Sequence, residues 1–205
     1  MNKKYKLIIF DLIDTLANSE SIFESTKILE QEVGTEMVDF IIGGGKIDTE
    51  KSVDDVITRV KNFKDISDKQ EKIIRNWIEP SGTILLNDSI EILKYLKNKN
   101  YIIGIISNSP PTKQNQLKDL EIDSYVDSAL FSFECGYRKP SKDIYDIFLK
   151  RFSILPTETL MIGDSLKNDV VGAQSAGLDA ILLDRDNTID YHPKIKNLLE
   201  LKEIL

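Results

Sequence analysis

Several short apolar runs in this chain stop abruptly at a residue with chemistry to offer. That repeated arrangement constrains the fold more than any other feature. KLIIF (6–10) ends at Asp11, YIIGIIS (101–107) at Ser107-Asn108, and TLMIG (159–163) at Asp164. DAILLD (179–184) is the last good run, and VDSALF (126–131) is a weaker one. Each is short, rich in β-branched or aromatic residues and bounded by polar residues, so each reads as a strand. The runs are apolar on both faces, as in parallel strands covered by helices. Helical patterns lie between them, at 88–99, 112–120, 141–152 and 165–177, and NLLELKEIL closes the chain. Strand and helix alternate from about residue 83 onward, which predicts βαβ units and a parallel sheet.

The stretch from 18 to 82 differs. It has helical periodicity, much charge and no convincing strand. IFESTKILEQEV, SVDDVITRVKNF and DKQEKIIRNWIEP are its predicted helices. GGGK (43–46) breaks it, and Pro80-Ser81-Gly82 punctuates its end. The expected organisation is an α/β core made of 1–17 and 83–205, with a helical insertion at 18–82.

A length of 205 residues suits one domain with such an insertion. A formal net charge of −7 argues against a general nucleic-acid binder, whose phosphate contacts need clustered cations. It leaves room for a local cationic pocket for a small anion. The single cysteine, Cys135, allows no intrachain disulfide and fits a reducing compartment. The first apolar run is too short for a membrane span. The expectation is a soluble cytoplasmic protein without membrane or nucleic-acid partners, monomeric or homodimeric.

Parallel sheets bind ligands beyond the carboxyl ends of their strands. Asp11 and Thr15 stand there after the first strand, Ser107 and Asn108 after the second, and Asp164 and Asp169 after TLMIG. The GYRKP loop (136–140) adds Lys139. Three carboxylates and one ammonium suit a hard cation such as Mg²⁺ together with a phosphoryl group.

FDLIDTL, IISNS, GYRKPSKDIY and IGDSLKNDVVGAQSAG, in that order and spacing, resemble the four motifs of the haloacid dehalogenase (HAD) superfamily. Most of its members are phosphatases. The resemblance implies a three-layer Rossmann-like α/β core with five parallel strands in the order 5-4-1-2-3, and a small helical cap inserted after the first strand. It implies that Asp11 is the nucleophile and forms an aspartyl-phosphate. Mg²⁺ would be held by Asp11, Asp164 and the backbone carbonyl of Ile13, with Asp169 in support. The phosphate-binding set would be Thr15, which also fixes the turn, with Ser107, Asn108 and Lys139. The substrate implied is a small phosphorylated metabolite.

One position departs from that pattern. Phosphatases of the superfamily carry a second Asp two residues after the nucleophile, which protonates the leaving group and later activates water. Here Ile13 stands in its place. Asp14 is the next residue, and neighbouring side chains of an extended segment point opposite ways, so Asp14 is not expected to substitute. A slow phosphatase is one reading, because acid–base help contributes only about 10²–10⁴-fold. A silent phospho-ligand binder is another. Dehalogenases of the superfamily lack the acidic metal site that Asp164 and Asp169 preserve here. A phosphonatase would need a cap lysine, for which Lys46 and Lys51 are the candidates. GGGK lacks the Ser/Thr and the preceding strand of a phosphate-binding P-loop. Trp77 and Cys135 read as packing residues, and His192 as a loop residue.

Overall fold

The computed structural model describes residues 4–18, 20–43, 52–78, 83–109 and 115–205. In chain order its elements are β1 (Leu7–Phe10), β2 (Ala17–Asn18), α1 (Glu20–Val33), α2 (Thr35–Gly43), α3 (Val53–Phe63) and α4 (Asp68–Ile78). There follow β3 (Ile84–Leu85), α5 (Ser89–Asn98), β4 (Ile102–Ser107), α6 (Gln116–Asp119), β5 (Ser128–Phe131), α7 (Ser132–Cys135) and α8 (Lys142–Leu149). The last are β6 (Thr159–Gly163), a π-helical turn at Leu166–Val171, α9 (Gly172–Ser175), β7 (Asp179–Leu183), β8 (Lys194–Ile195) and α10 (Leu201–Ile204).

Six of the described strands form a parallel sheet in the order β5-β4-β1-β6-β7-β8. The first five reproduce the expected order, with β1 in the centre. The sixth corrects the five-strand expectation. β8 has only two residues, too few for a periodic signal, and it joins the edge of β7. A separate antiparallel pair, β2 with β3, was also not anticipated. It brings together the chain leaving for the α1–α4 helices and the chain returning from them.

The strand pleat explains why the runs are apolar throughout. In β1, Ile8 and Phe10 face one way and Leu7 and Ile9 the other, and all four are fully buried. Ile8 and Phe10 join Ile103, Ile105, Leu160 and Ile162 in a core roofed by Ile92, Leu93 and Leu96 of α5 and by Leu198 and Leu201. Leu7 and Ile9 join Ile106, Leu130 and Met161 under Ile144, Tyr145 and Phe148 of α8 and Ala173 of α9. The result is three layers, helix–sheet–helix. Gly104 in β4 makes room for Phe148, whose ring would stand 2.6 Å from a Cβ at that position.

Helices α1–α4 carry a core of their own, containing Leu29, Met37, Ile41, Val56, Val60, Ile74 and Trp77. Ser52 opens α3 with a capping box to Asp55, as its sequence favours. Helix α2 had no sequence expectation behind it. Lys46, Lys51, most of GGGK, Pro80-Ser81-Gly82 and the first part of the 112–120 helix lie outside the described residues. Among the described residues no helix is long and apolar enough to cross a membrane.

Candidate active site

The carboxyl ends of β1, β4 and β6 meet at one pocket of about 280 Å³, and Asp11, Ile13, Lys139, Asp164 and Asp169 are among the residues that line it. Asp11 directly follows β1, where its N–H donates to Ile162 O (2.9 Å) and fixes it to β6. It is 8% exposed, Lys139 3% and Asp169 1%. Lys139 Nζ donates to Asp11 Oδ1 at 2.5 Å and to Asp169 Oδ1 at 2.6 Å. The carboxylates of Asp11, Asp164 and Asp169 each offer an oxygen within 4.8 Å of the others.

The turn after β6 is built around Asp169. Its Oδ2 accepts from the Ser165 N–H (2.9 Å), and the Asp169 and Val170 N–H groups both reach Ser165 O (2.9 and 3.3 Å). The second of these spans five residues, the spacing that widens an α-helix to a π-helix. The expected 165–177 helix therefore opens as a π-helical turn and becomes α-helical only in α9. Gly163 makes the fold-back possible. A Cβ there would lie 2.2 Å from Asp169 Cγ.

The electrostatics follow from one buried ammonium beside two buried carboxylates, Asp11 and Asp169, with the half-buried Asp164 close by. Burial pushes Asp11 up to about 8, helped by the charges of Asp169 and Asp164 and opposed by Lys139. Burial also raises Asp164, to about 6, with Asp169 and Asp14 adding to it. Burial alone would lower Lys139, but the Asp11 and Asp169 charges more than reverse this and hold it firmly protonated. The pocket carries more negative charge than Lys139 can neutralise, which is the condition for admitting a cation.

Each sequence-derived candidate has a definite place. Asp11, Lys139, Asp164 and Asp169 converge as described. Ser107 is buried in the same pocket wall, its Oγ 3.0 Å from Ser109 Oγ. Asn108 also lines the pocket, but its amide is engaged: Nδ2 donates to Lys139 O (3.0 Å) and Oδ1 accepts from the Lys139 N–H (2.8 Å). It thus grips the backbone that presents the lysine. Thr15 is fully buried and faces Asp164 Oδ1 at 3.3 Å. It braces that carboxylate instead of lining the pocket. Ile13 lines the pocket while its side chain packs on the core around Phe10 and Leu16.

Asp14 corrects the orientation argument. Its φ of 61° is left-handed, so the segment is not extended, and Asp14 lines the same pocket as Asp11. Its N–H donates to Ala17 O (2.7 Å), closing a tight turn. Sequence reasoning also passed over Ser165 and Asn168 in the pocket wall. It missed Tyr145, which anchors the π-helical turn through Asn168 O (2.6 Å). GDS followed by a helix was the available signal for Ser165; Tyr145 had none.

A three-layer α/β core with acids at the ends of β1 and β6 and a buried lysine between them defines the class. The chain belongs to the haloacid dehalogenase-like hydrolase family, whose sequence pattern matches residues 8–183. It is 35% identical over 121 residues to the glyceraldehyde 3-phosphate phosphatase of Methanothermobacter thermautotrophicus, a match spanning 54% of each chain. It is 24% identical over 199 residues to the Pyrococcus furiosus enzyme of that name, spanning 87% of this chain and 80% of the other. The fold is shared with a HAD phosphatase from Thermococcus onnurineus (TM-score 0.68, 24% identity, 97% of each chain). It is shared equally with a dehalogenase (TM-score 0.72, 17% identity, 100% of this chain and 99% of that one). The fold therefore leaves the reaction open, and the site residues have to decide it.

Proposed function

We propose that the chain is a Mg²⁺-dependent phosphatase that hydrolyses a small phosphorylated metabolite through an aspartyl-phosphate at Asp11, slowed by the lack of an acid at position 13. One observation carries this reading: Lys139 bridges Asp11 and Asp169 in a buried pocket that also contains Asp164. Halide displacement has no use for so acidic a pocket. The phosphatase relatives point the same way.

The donor set fits the ion, since it offers hard carboxylate oxygens close together beside a deficit of positive charge. Asp11, Asp164 and the Ile13 carbonyl would hold it, with Asp169 in support, and it would supply neutralisation of the phosphoryl oxygens. The chain's own groups do the rest. Asp11 attacks phosphorus as the ester oxygen leaves. Lys139 stabilises the charge that builds on the transferred group. The Ser107 hydroxyl and the backbone N–H of Asn108 bind its oxygens, while the Asn108 side chain keeps Lys139 aimed. With Ile13 in the shuttle position, protonation of the leaving oxygen and activation of the attacking water fall to solvent or to Asp14, the neighbouring acid in the pocket wall. The helices of 18–82 act as a cap over a core of 1–17 and 83–205, in a cytoplasmic setting that suits the lone Cys135.

A second reading, a silent phospho-ligand binder, is favoured by one feature: the apolar Ile13 in an otherwise polar pocket. Turnover of p-nitrophenyl phosphate with Mg²⁺ separates the two. The chain should be slow, Ile13→Asp should gain about tenfold or more, and Asp11→Asn should be inactive. Phosphate binding without turnover in any variant would establish the binder instead.

A further inference from the structure

Asp88 occupies the N-cap position of α5, where an aspartate normally accepts a backbone N–H of the first turn. Its carboxylate makes no such bond. It turns instead to Arg185, just beyond β7, in a forked pair with Nη1–Oδ2 and Nη2–Oδ1 both at 3.0 Å. Asp88 Oδ2 also accepts the Leu198 N–H (2.8 Å). The same Nη2 donates to the carbonyl oxygen of Thr15 at 3.1 Å. The next carbonyl, of Leu16, accepts from Ser89 Oγ (2.7 Å) and the Leu86 N–H (3.0 Å). The backbone carrying Arg185 is itself tied down. The Asp184 carboxylate accepts from the N–H groups of Thr188 (3.1 Å) and Ile189 (2.8 Å) and from Lys194 Nζ (2.9 Å).

We propose that Arg185 is a positioning residue, clamping Thr15 from behind so that the Asp11–Thr15 turn presents Asp11 and braces Asp164. The clamp holds the Thr15 carbonyl, while the hydroxyl of the same residue reaches Asp164. Only a planar guanidinium can fork onto a carboxylate and still donate to a carbonyl; lysine cannot reproduce this. The consequence for rate rests on the phosphatase reading, whereas the consequence for the turn does not.

The test compares the full chain with Arg185→Ala, Arg185→Lys and Asp88→Asn, each first checked for folding by near-UV circular dichroism. Amide exchange over residues 12–17 is measured without metal, and Mg²⁺-dependent turnover below the melting range. Exchange should quicken about tenfold or more in Arg185→Ala. kcat should fall about tenfold or more with little change in KM, in line with the loss of a partner that orients site ligands. Millimolar guanidinium should restore part of the rate in Arg185→Ala but none in Arg185→Lys. Unchanged exchange overturns the clamp. So does quickened exchange with parental kcat and only a lower melting temperature, since the residue then serves stability alone. Should the parent itself not hydrolyse phosphate esters, the phosphatase reading fails and the exchange result still decides the clamp.

Discussion

Lys139 Nζ lies 2.5 Å from Asp11 Oδ1, with both groups buried at the carboxyl edge of the central strand. The pair is held from two directions. Asn108 fixes the lysine's backbone, and Asp169, reached by the same Nζ at 2.6 Å, fixes its head.

Lys139→Met should therefore damage both stability and chemistry. It leaves the buried carboxylates without their only ammonium contact among the described residues. Breaking a buried pair from one side costs about 3–5 kcal/mol, and proton uptake by the carboxylates should hold the loss near the lower end. Urea unfolding at neutral pH measures it. Added Mg²⁺ should recover part of the stability and none of the turnover. A variant as stable as the parent would contradict the charge balance described here.

Stability should depend on pH in a definite sense. Asp11 is raised from 3.8 to about 8, chiefly by burial. Between those values the folded chain keeps a proton that the unfolded chain has lost. The stabilisation from this group is thus full below about pH 4 and declines as pH rises toward 8. Mg²⁺ bound at Asp11 as proposed would have to displace that proton, so its stabilising effect should grow as pH rises. Thermal midpoints with and without MgCl₂ at pH 6 and 8 provide the check. A Mg²⁺-induced shift of equal size at both would show that Asp11 does not titrate with the metal.

Gly163→Ala probes the seat of Asp169. The added methyl would meet a carboxylate already held by Ser165 and Lys139. Overpacking of this kind costs about 1–3 kcal/mol. Apparent Mg²⁺ affinity, followed by thermal shift, should weaken together with chemical stability. Parental values for both would mean that the turn yields freely.

The sheet and the converging acids were legible for one shared reason. Strands buried on both faces must be apolar runs, and the residue ending each run is carried to one edge. Asp11, Ser107 and Asp164 could be placed from this alone, and the motif spacing added Lys139 and Asp169. The two-residue strands β2, β3 and β8 were illegible because a pair of residues has no period. The orientation of Asp14 was misjudged because its left-handed backbone breaks the alternation that an extended segment would have. Asn108 gripping Lys139 and Arg185 gripping Asp88 join residues 31 and 97 positions apart, and no local pattern encodes either.

The central claim is a covalent Asp11 intermediate at a site short of its proton shuttle, and trapping tests it most directly. Acetyl phosphate needs little proton assistance to leave, whereas discharge of the aspartyl-phosphate needs an activated water. Incubated with acetyl phosphate and Mg²⁺ and quenched in acid, the chain should gain the mass of one phosphoryl group on the peptide containing Asp11. Ile13→Asp should discharge it faster and accumulate less, and Asp11→Asn should carry none. A chain that stays unmodified, or that carries the phosphoryl group on another residue, would contradict the account.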